Sequence, residues 1–336
     1  MSIKPAPMNV ASYQGVQVPA AKDDSHGRCR AGPLRRAAST VTEIQDRPRG
    51  LADLFSQRLH FTYVQILHAA DNPAVAAIHD LRVAIRRSGE IIHVLIRANV
   101  LARRPARRLL RTLQRIRRVA GDIRDLDVLR SLAEQSPSPL GSARRRRRLL
   151  EYTGRRRATL LKKLRRRLQR VSGKNPFAFL EDALASARGA PELERRLARA
   201  LAGRIADNGK KFRRAGARAL RERSPELAHR ARIAGKRWRY ACEPATQTGL
   251  ADGRKLIDQL KHLQKTTGEL HDVCFALASL AAPEQQVSCT AARAKKPGRE
   301  SLWPAELRRR FARLLQRTLS ELAAAQQWEL PGSEAR

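Results

Sequence analysis

Ile78-His79-Asp80-Leu81-Arg82-Val83-Ala84-Ile85-Arg86-Arg87, in the first half of the chain, has a counterpart in the second half, Ala228-His229-Arg230-Ala231-Arg232-Ile233-Ala234-Gly235-Lys236-Arg237. His, Arg and the Arg/Lys position all recur at an offset of 150 residues. A second pair of words follows in the same order, at an offset of 147: Leu113 through Gly121-Asp122-Ile123-Arg124-Asp125 against Leu260 through Gly268-Glu269-Leu270-His271-Asp272. Two ordered matches at nearly one offset mark a duplicated unit.

The period inside each copy is helical. His79, Arg82 and Arg86 stand at i, i+3 and i+7, which stacks them on one stripe, while Leu81, Ile85, Ile92 and Ile96 form another face fit to enter a core. In the second copy His229, Arg232, Lys236 and Arg239 make the corresponding stripe, with Trp238 available for packing. Arg87 and Arg237, the next residues of the two words, are grouped with them. The following helix repeats the device: Arg111, Arg115 and Arg118 sit at three- and four-residue intervals opposite Leu109, Leu113 and Ile116, with Lys261 and Lys265 as weaker counterparts in the second half. If these four helices face one another, their stripes converge on a basic groove or channel. Like charges that close in a poorly solvated space repel by several kcal/mol, and an anion offsets that repulsion.

Working outward, apolar residues recur at three- and four-residue spacing from about 50 to 280 with no convincing strand alternation. Helices are predicted over 50–70, 74–98, 103–120, 122–134, 142–171, 191–221, 225–247, 253–267, 269–281 and 303–328. Asn72-Pro73 and Ser224-Pro225 each place a capping residue ahead of a proline suited to the first helical position. Ser136-Pro137-Ser138-Pro139, Ser172 to Pro176 and Gly249 to Gly253 read as breaks. Residues 1–45 lack periodicity and read as a disordered arm, 326–336 as a tail, and the repeats as about 50–172 and 190–328.

Composition constrains the partner. The chain of 336 residues carries 69 Lys and Arg against 31 acidic residues, a formal charge of +38, and 42% apolar residues, enough for a core. Such an excess calls for a polyanion: nucleic acid, an anionic membrane surface or a phosphate polymer. Cys29, Cys242, Cys274 and Cys289 show no CxxC spacing, so reduced thiols are expected, with neither a zinc site nor a disulfide framework. No window approaches a membrane span and the N-terminus has no apolar signal region, so an intracellular, cytoplasmic location is expected.

The words quoted above, with Leu126-Asp127 and the stretch from His229 through Tyr240, resemble the CHAD family, named for conserved histidines in an α-helical domain. The resemblance covers roughly residues 46–325. It implies an all-α fold of two pseudo-symmetric antiparallel helical bundles around a basic central pore that holds inorganic polyphosphate, and it admits association with polyphosphate granules in a bacterial cell. Under that implication the polyphosphate-binding residues are His79, Arg82, Arg86, Arg87, Arg111, Arg115, Arg118 and, from the second copy, His229, Arg232, Lys236, Arg237, Arg239, Lys261 and Lys265. The chain departs from the family pattern at Ser88-Gly89 and in the residues before Gly121. It also lacks the ExExK-type word of the CYTH triphosphate-processing domain that often accompanies CHAD.

Other readings stand beside this one. His79 and His229 are either ligand contacts or satisfied core histidines. The arginine runs 144–148, 155–157 and 165–167 wrap their whole helix, so most are external, where they offer a second, less specific polyanion surface. They support an alternative in which the protein binds nucleic acid non-specifically, although aromatics at 4% serve single-strand stacking poorly. Asp122, Asp125, Asp127, Glu269 and Asp272 are expected to hold arginines by ion pairs and to cap the next helix, a metal-dependent phosphohydrolase being the weaker reading. No Walker loop or Ser-centred nucleophile motif is visible, so no catalysis, metal or cofactor is expected, and the sequence sets no oligomeric state.

Overall fold

The computed structural model describes residues 48–135, 143–173, 175–185, 189–281 and 305–329. The proposed N-terminal arm, two of the four cysteines and the Ser-Pro break at 136–139 lie outside these residues. Among the described residues the protein is all-helical. The helices are α1 (Leu51–Asp71), α2 (Val75–Arg97), α3 (Arg103–Gln135), α4 (Ala143–Ser172), α5 (Ala178–Ala185), α6 (Pro191–Glu222), α7 (Pro225–Gln247), α8 (Arg254–Ala281) and α9 (Ala305–Ala324), with a 3₁₀ turn at Ala325–Gln327.

Helices α1 to α4 pack on one another within the first half and α6 to α9 within the second, and α2–α7 and α3–α8 contacts join the two. The stripes that drive this packing are regular. On α3, Leu109, Leu113, Ile116, Ala120, Ile123 and Leu126 are buried at three- and four-residue steps. In the second half Phe212 packs against Trp238 at 5.4 Å and stacks on Trp328 at 6.5 Å. Two polar contacts tie distant segments together. The Glu194 carboxylate of α6 accepts from the Leu51 and Ala52 N–H groups at 2.9 and 3.0 Å, capping α1 from 143 residues away. Ser88 is fully buried on α2 and shares a 2.5 Å hydrogen bond with Thr62 of α1, a close approach that a larger residue would block.

Several expectations are corrected. Gly121 and Gly268 do not end helices: α3 and α8 run straight through them, because about 1 kcal/mol of lost helix propensity is outweighed by buried neighbours such as Ile123 and Leu270. Asp122, Asp125, Glu269 and Asp272 therefore lie within helices and cap nothing. Asn72 closes α1 instead of opening α2: its N–H donates to the His68 carbonyl at 2.9 Å, and α2 begins at Val75 after Ala74. The stretch after Ser172 contains a short helix, α5, that periodicity does not reveal. Ser224 does cap α7, accepting from the Leu227 N–H, with Pro225 at the first helical position.

Candidate polyanion-binding site

Helices α2, α3, α7 and α8 meet in a closed set of pairwise contacts: α2 on α3, α3 on α8, α8 on α7 and α7 on α2. The cations of this meeting point come from α2, α3 and α7. From α2 come Arg82 and Arg86, and from α7 come Arg232 and Lys236, all four half-buried. Burial lowers the Arg82 pKa to about 10, with Arg86 and then Arg124 and Arg232 adding repulsion. Burial also lowers Arg86 and Arg232. Lys236 is pushed down to about 6, first by burial and then by Arg232, Arg86, Arg82 and Arg239. These mutual effects place the four cations in one electrostatic neighbourhood.

Their hydrogen-bonding capacity is underused. The Nε atoms of Arg82 and Arg232, at matching positions of the two words, are buried with no hydrogen-bond partner among the described residues, and so is Nδ1 of His229. A buried donor left unpaired costs roughly 1–3 kcal/mol, so the two guanidinium groups are poised for acceptors. Carboxylates reach the cluster sparingly: Asp125 favours the charged forms of Arg82 and Arg86, and Asp272 that of Arg232. Burial raises the pKa of Asp272, against the lowering effect of Arg232 and Arg124. At the second-half end the His229 and His271 rings lie 4.3 Å apart with their planes inclined by 31°. Burial first, then neighbouring charge, lowers His229 to about 4 and His271 to about 3, so both are neutral near pH 7.

Arg87 and Arg239 are differently placed. Arg87 donates from Nε to Glu243 Oε2 at 2.9 Å, and Arg239 Nε stands 3.5 Å from the other carboxylate oxygen. Arg239 also lies over the Tyr240 ring at 4.8 Å. Glu243 is itself 8% exposed, and with Arg58 3.9 Å away this one buried carboxylate gathers three cations. His79 is exposed, its pKa lowered mainly by burial against the raising effect of Asp80.

The structure does not bring every expected residue into the cluster. Arg111, Arg115 and Arg118 lie on the exposed face of α3, Lys261 and Lys265 on the exposed face of α8, and Arg237 is exposed on α7. Lys261 pairs with Asp258 at 2.9 Å. The inward stripes of α3 and α8 lie elsewhere: Arg117, Gly121 and Arg124 on α3, and Gln264, Gly268 and His271 on α8. Arg117 is lowered to about 10 by burial, then by Arg86 and Arg237. Gly268 has a steric reason: a Cβ there would stand 3.1 Å from Arg232 Nη2, whereas one at Gly121 would meet nothing within 4 Å. The signal that could have located these stripes is a glycine of the repeat flanked four residues before and three after by polar side chains. Among the expected ion pairs, Asp127 holds Arg157 at 2.7 Å.

A family model described as CHAD domain matches residues 56–281, which include every helix of this cluster. The chain belongs to the CHAD family. The crystal structure of the CHAD domain from the plant Ricinus communis is similar in fold, with a TM-score of 0.50, 20% sequence identity, and coverage of 85% of this chain and 96% of that one. No curated protein matches the chain. The CHAD match ends with α8, so α9 and its exposed arginines lie beyond it. Among the described residues no three His, Cys, Asp or Glu side chains are grouped to hold a metal ion, and no helix is long and apolar enough to cross a membrane. Cys242 and Cys274 are free thiols, and burial pushes both up to about 12.

Proposed function

We propose that this CHAD protein binds inorganic polyphosphate between α2, α3, α7 and α8 and acts by binding, without catalysis. The observation that carries the reading is the matched pair of buried, unpartnered guanidinium Nε atoms on Arg82 and Arg232, within a set of cations whose charged forms are disfavoured by their surroundings. A chain of phosphates supplies what such a set lacks: one negative charge per unit and oxygens that accept from planar guanidinium forks. Binding restores full charge to Lys236 and releases counterions, so affinity falls steeply with salt. The site lies among packed helices, which favours a thin flexible polyanion over a duplex. Location at polyphosphate granules in a bacterial cytoplasm is a further part of this proposal and follows from the ligand, not from any feature of the helices.

The test is displacement. Labelled polyphosphate bound to the full chain near 0.15 M salt is challenged with unlabelled polyphosphate, single-stranded RNA and duplex DNA, and phosphate release is followed in parallel with added magnesium. Displacement by polyphosphate at concentrations at least a hundredfold below those of the nucleic acids, with no phosphate released, is the expected result. Equal displacement by all three would replace this reading with general polyanion binding, and metal-dependent release of phosphate would make the protein an enzyme.

A further inference from the structure

The arginines that the interior leaves out form a surface of their own. Helices α3 and α4 run antiparallel along each other: Arg157 bonds Asp127 at 2.7 Å, Arg167 Nη1 donates to the Arg115 carbonyl at 2.5 Å, and Arg146 reaches the Glu134 carbonyl at 3.5 Å. Along the α3 side of this seam Arg104, Arg108, Arg111, Arg115 and Arg118 are all exposed. On α4 the stripe that contains Arg167 also holds Arg156, Lys163 and Arg170, again exposed. From Arg103 to Gly121 α3 contains no acidic residue, and α4 contains only Glu151, which is engaged by Arg147 and Arg155.

We propose that the α3–α4 seam is a second binding site, separate from the interior cluster, that takes the sugar-phosphate backbone of a nucleic-acid duplex. Each ridge spans 14 residues, about 21 Å at 1.5 Å per residue, the axial length of about six base pairs at 3.4 Å each. Packed helix axes stand 8–10 Å apart, the same scale as the roughly 6 and 12 Å duplex grooves, so the two ridges can lie along the two strands that border one groove. A single linear polyphosphate would neutralise only one ridge. The seam exposes no aromatic platform, Tyr152 being half-buried, so unpaired bases find nothing to stack on. The apolar faces of both helices, including Leu109, Leu113, Leu160 and Leu164, are spent on the core, so none remains to enter a lipid surface. Recognition rests on backbone charge and is independent of base sequence.

The experiment measures the affinity of the full chain for a labelled 20-base-pair duplex, with three variants. Arg156→Glu/Lys163→Glu/Arg170→Glu reverses the α4 ridge, Arg156→Gln/Lys163→Gln/Arg170→Gln neutralises it in case reversal disturbs folding, and Arg82→Glu/Arg232→Glu alters only the interior. The ridge variants are expected to lose duplex affinity at least tenfold while polyphosphate affinity changes less than threefold near 0.15 M salt, where charge is screened beyond about 8 Å. The interior variant is expected to keep duplex binding, with log affinity falling against log salt at a slope near −8, as for about nine neutralised phosphates, one for each ridge cation. Unchanged duplex affinity in both ridge variants, tighter binding of single strands than of duplex, or parallel loss of duplex and polyphosphate in the ridge variants would each overturn the second site. Loss of duplex binding in the interior variant would overturn its separateness, whatever happens to polyphosphate.

Discussion

The α2–α3 and α7–α8 sides of the interior site carry the same spacing but different chemistry. Where the first has Arg86, Arg117 and Arg124, the second has Lys236, Gln264 and His271. Guanidinium groups keep their charge in this setting, since even the strongly lowered Arg82 and Arg117 titrate near 10. The second side is built from groups that give up charge when buried: Lys236 titrates near 6, His229 near 4 and His271 near 3. One side thus holds fixed charge throughout, and the other, with Arg232 as its fixed cation, gains charge when an anion arrives or the medium is acid. Arginine keeps its charge and grips phosphate with a planar fork, and lysine allows the unliganded site to relax by losing a proton.

Removing the element shared by both sides has the largest expected effect. Arg82→Glu with Arg232→Glu should lower polyphosphate affinity by roughly a hundredfold or more, given about 1.5–3 kcal/mol for each charged hydrogen bond, while far-UV circular dichroism shows unchanged helix content. Retained affinity would place the ligand elsewhere.

The next prediction separates the sides by pH. Between about 6 and 10.5 the unfolded chain keeps Lys236 protonated while the folded, unliganded chain does not, so the unfolded state binds more protons and stability rises with pH across that window. Below pH 6.5 the two lowered histidines extend the trend, and stability falls as they are forced to protonate. Affinity runs the other way. Phosphate binds the protonated lysine, so polyphosphate affinity should weaken above pH 6 by up to about tenfold per pH unit, with proton uptake visible as a buffer-dependent binding enthalpy. Lys236→Arg should flatten the affinity profile above pH 6 and remove the corresponding rise in unliganded stability; an unchanged slope would show that another group titrates.

The smallest effects contrast the two glycines. Gly268→Ala should displace the Arg232 guanidinium and weaken polyphosphate binding several-fold. Gly121→Ala meets open space and adds helix propensity, so the midpoint of thermal unfolding should rise by up to about 2 °C with affinity unchanged. Equal behaviour of the two variants would remove the steric distinction between the sides.

Much of this was legible in the sequence where local rules suffice. Periodicity gives α2, α6 and α7 nearly to the residue, and Ser224-Pro225 gives the start of α7. The failures share a cause: they needed to know what lies across from a residue. Glycine at 121 and 268 reads as a boundary until the buried residues on both sides are seen to continue one helix. The stripe Arg111-Arg115-Arg118 is as regular as the one through Arg117, Gly121 and Arg124, and only the packing of α2, α4 and α8 against α3 decides which faces inward. Glu243 is one of two acids in a basic helix and carries no mark in the sequence, yet it holds Arg87 and stands beside Arg239. Arg82, Arg86, Arg232 and Lys236 were found because the duplication marks them and because both copies turn the same face toward each other.

The most direct measurement is a crystal structure of the full chain with polyphosphate bound near neutral pH. The account requires phosphate oxygens within hydrogen-bond distance of Arg82 Nε and Arg232 Nε, with the chain running between α2, α3, α7 and α8. Phosphate found only along the α3–α4 seam, or an interior that excludes it, would contradict the account.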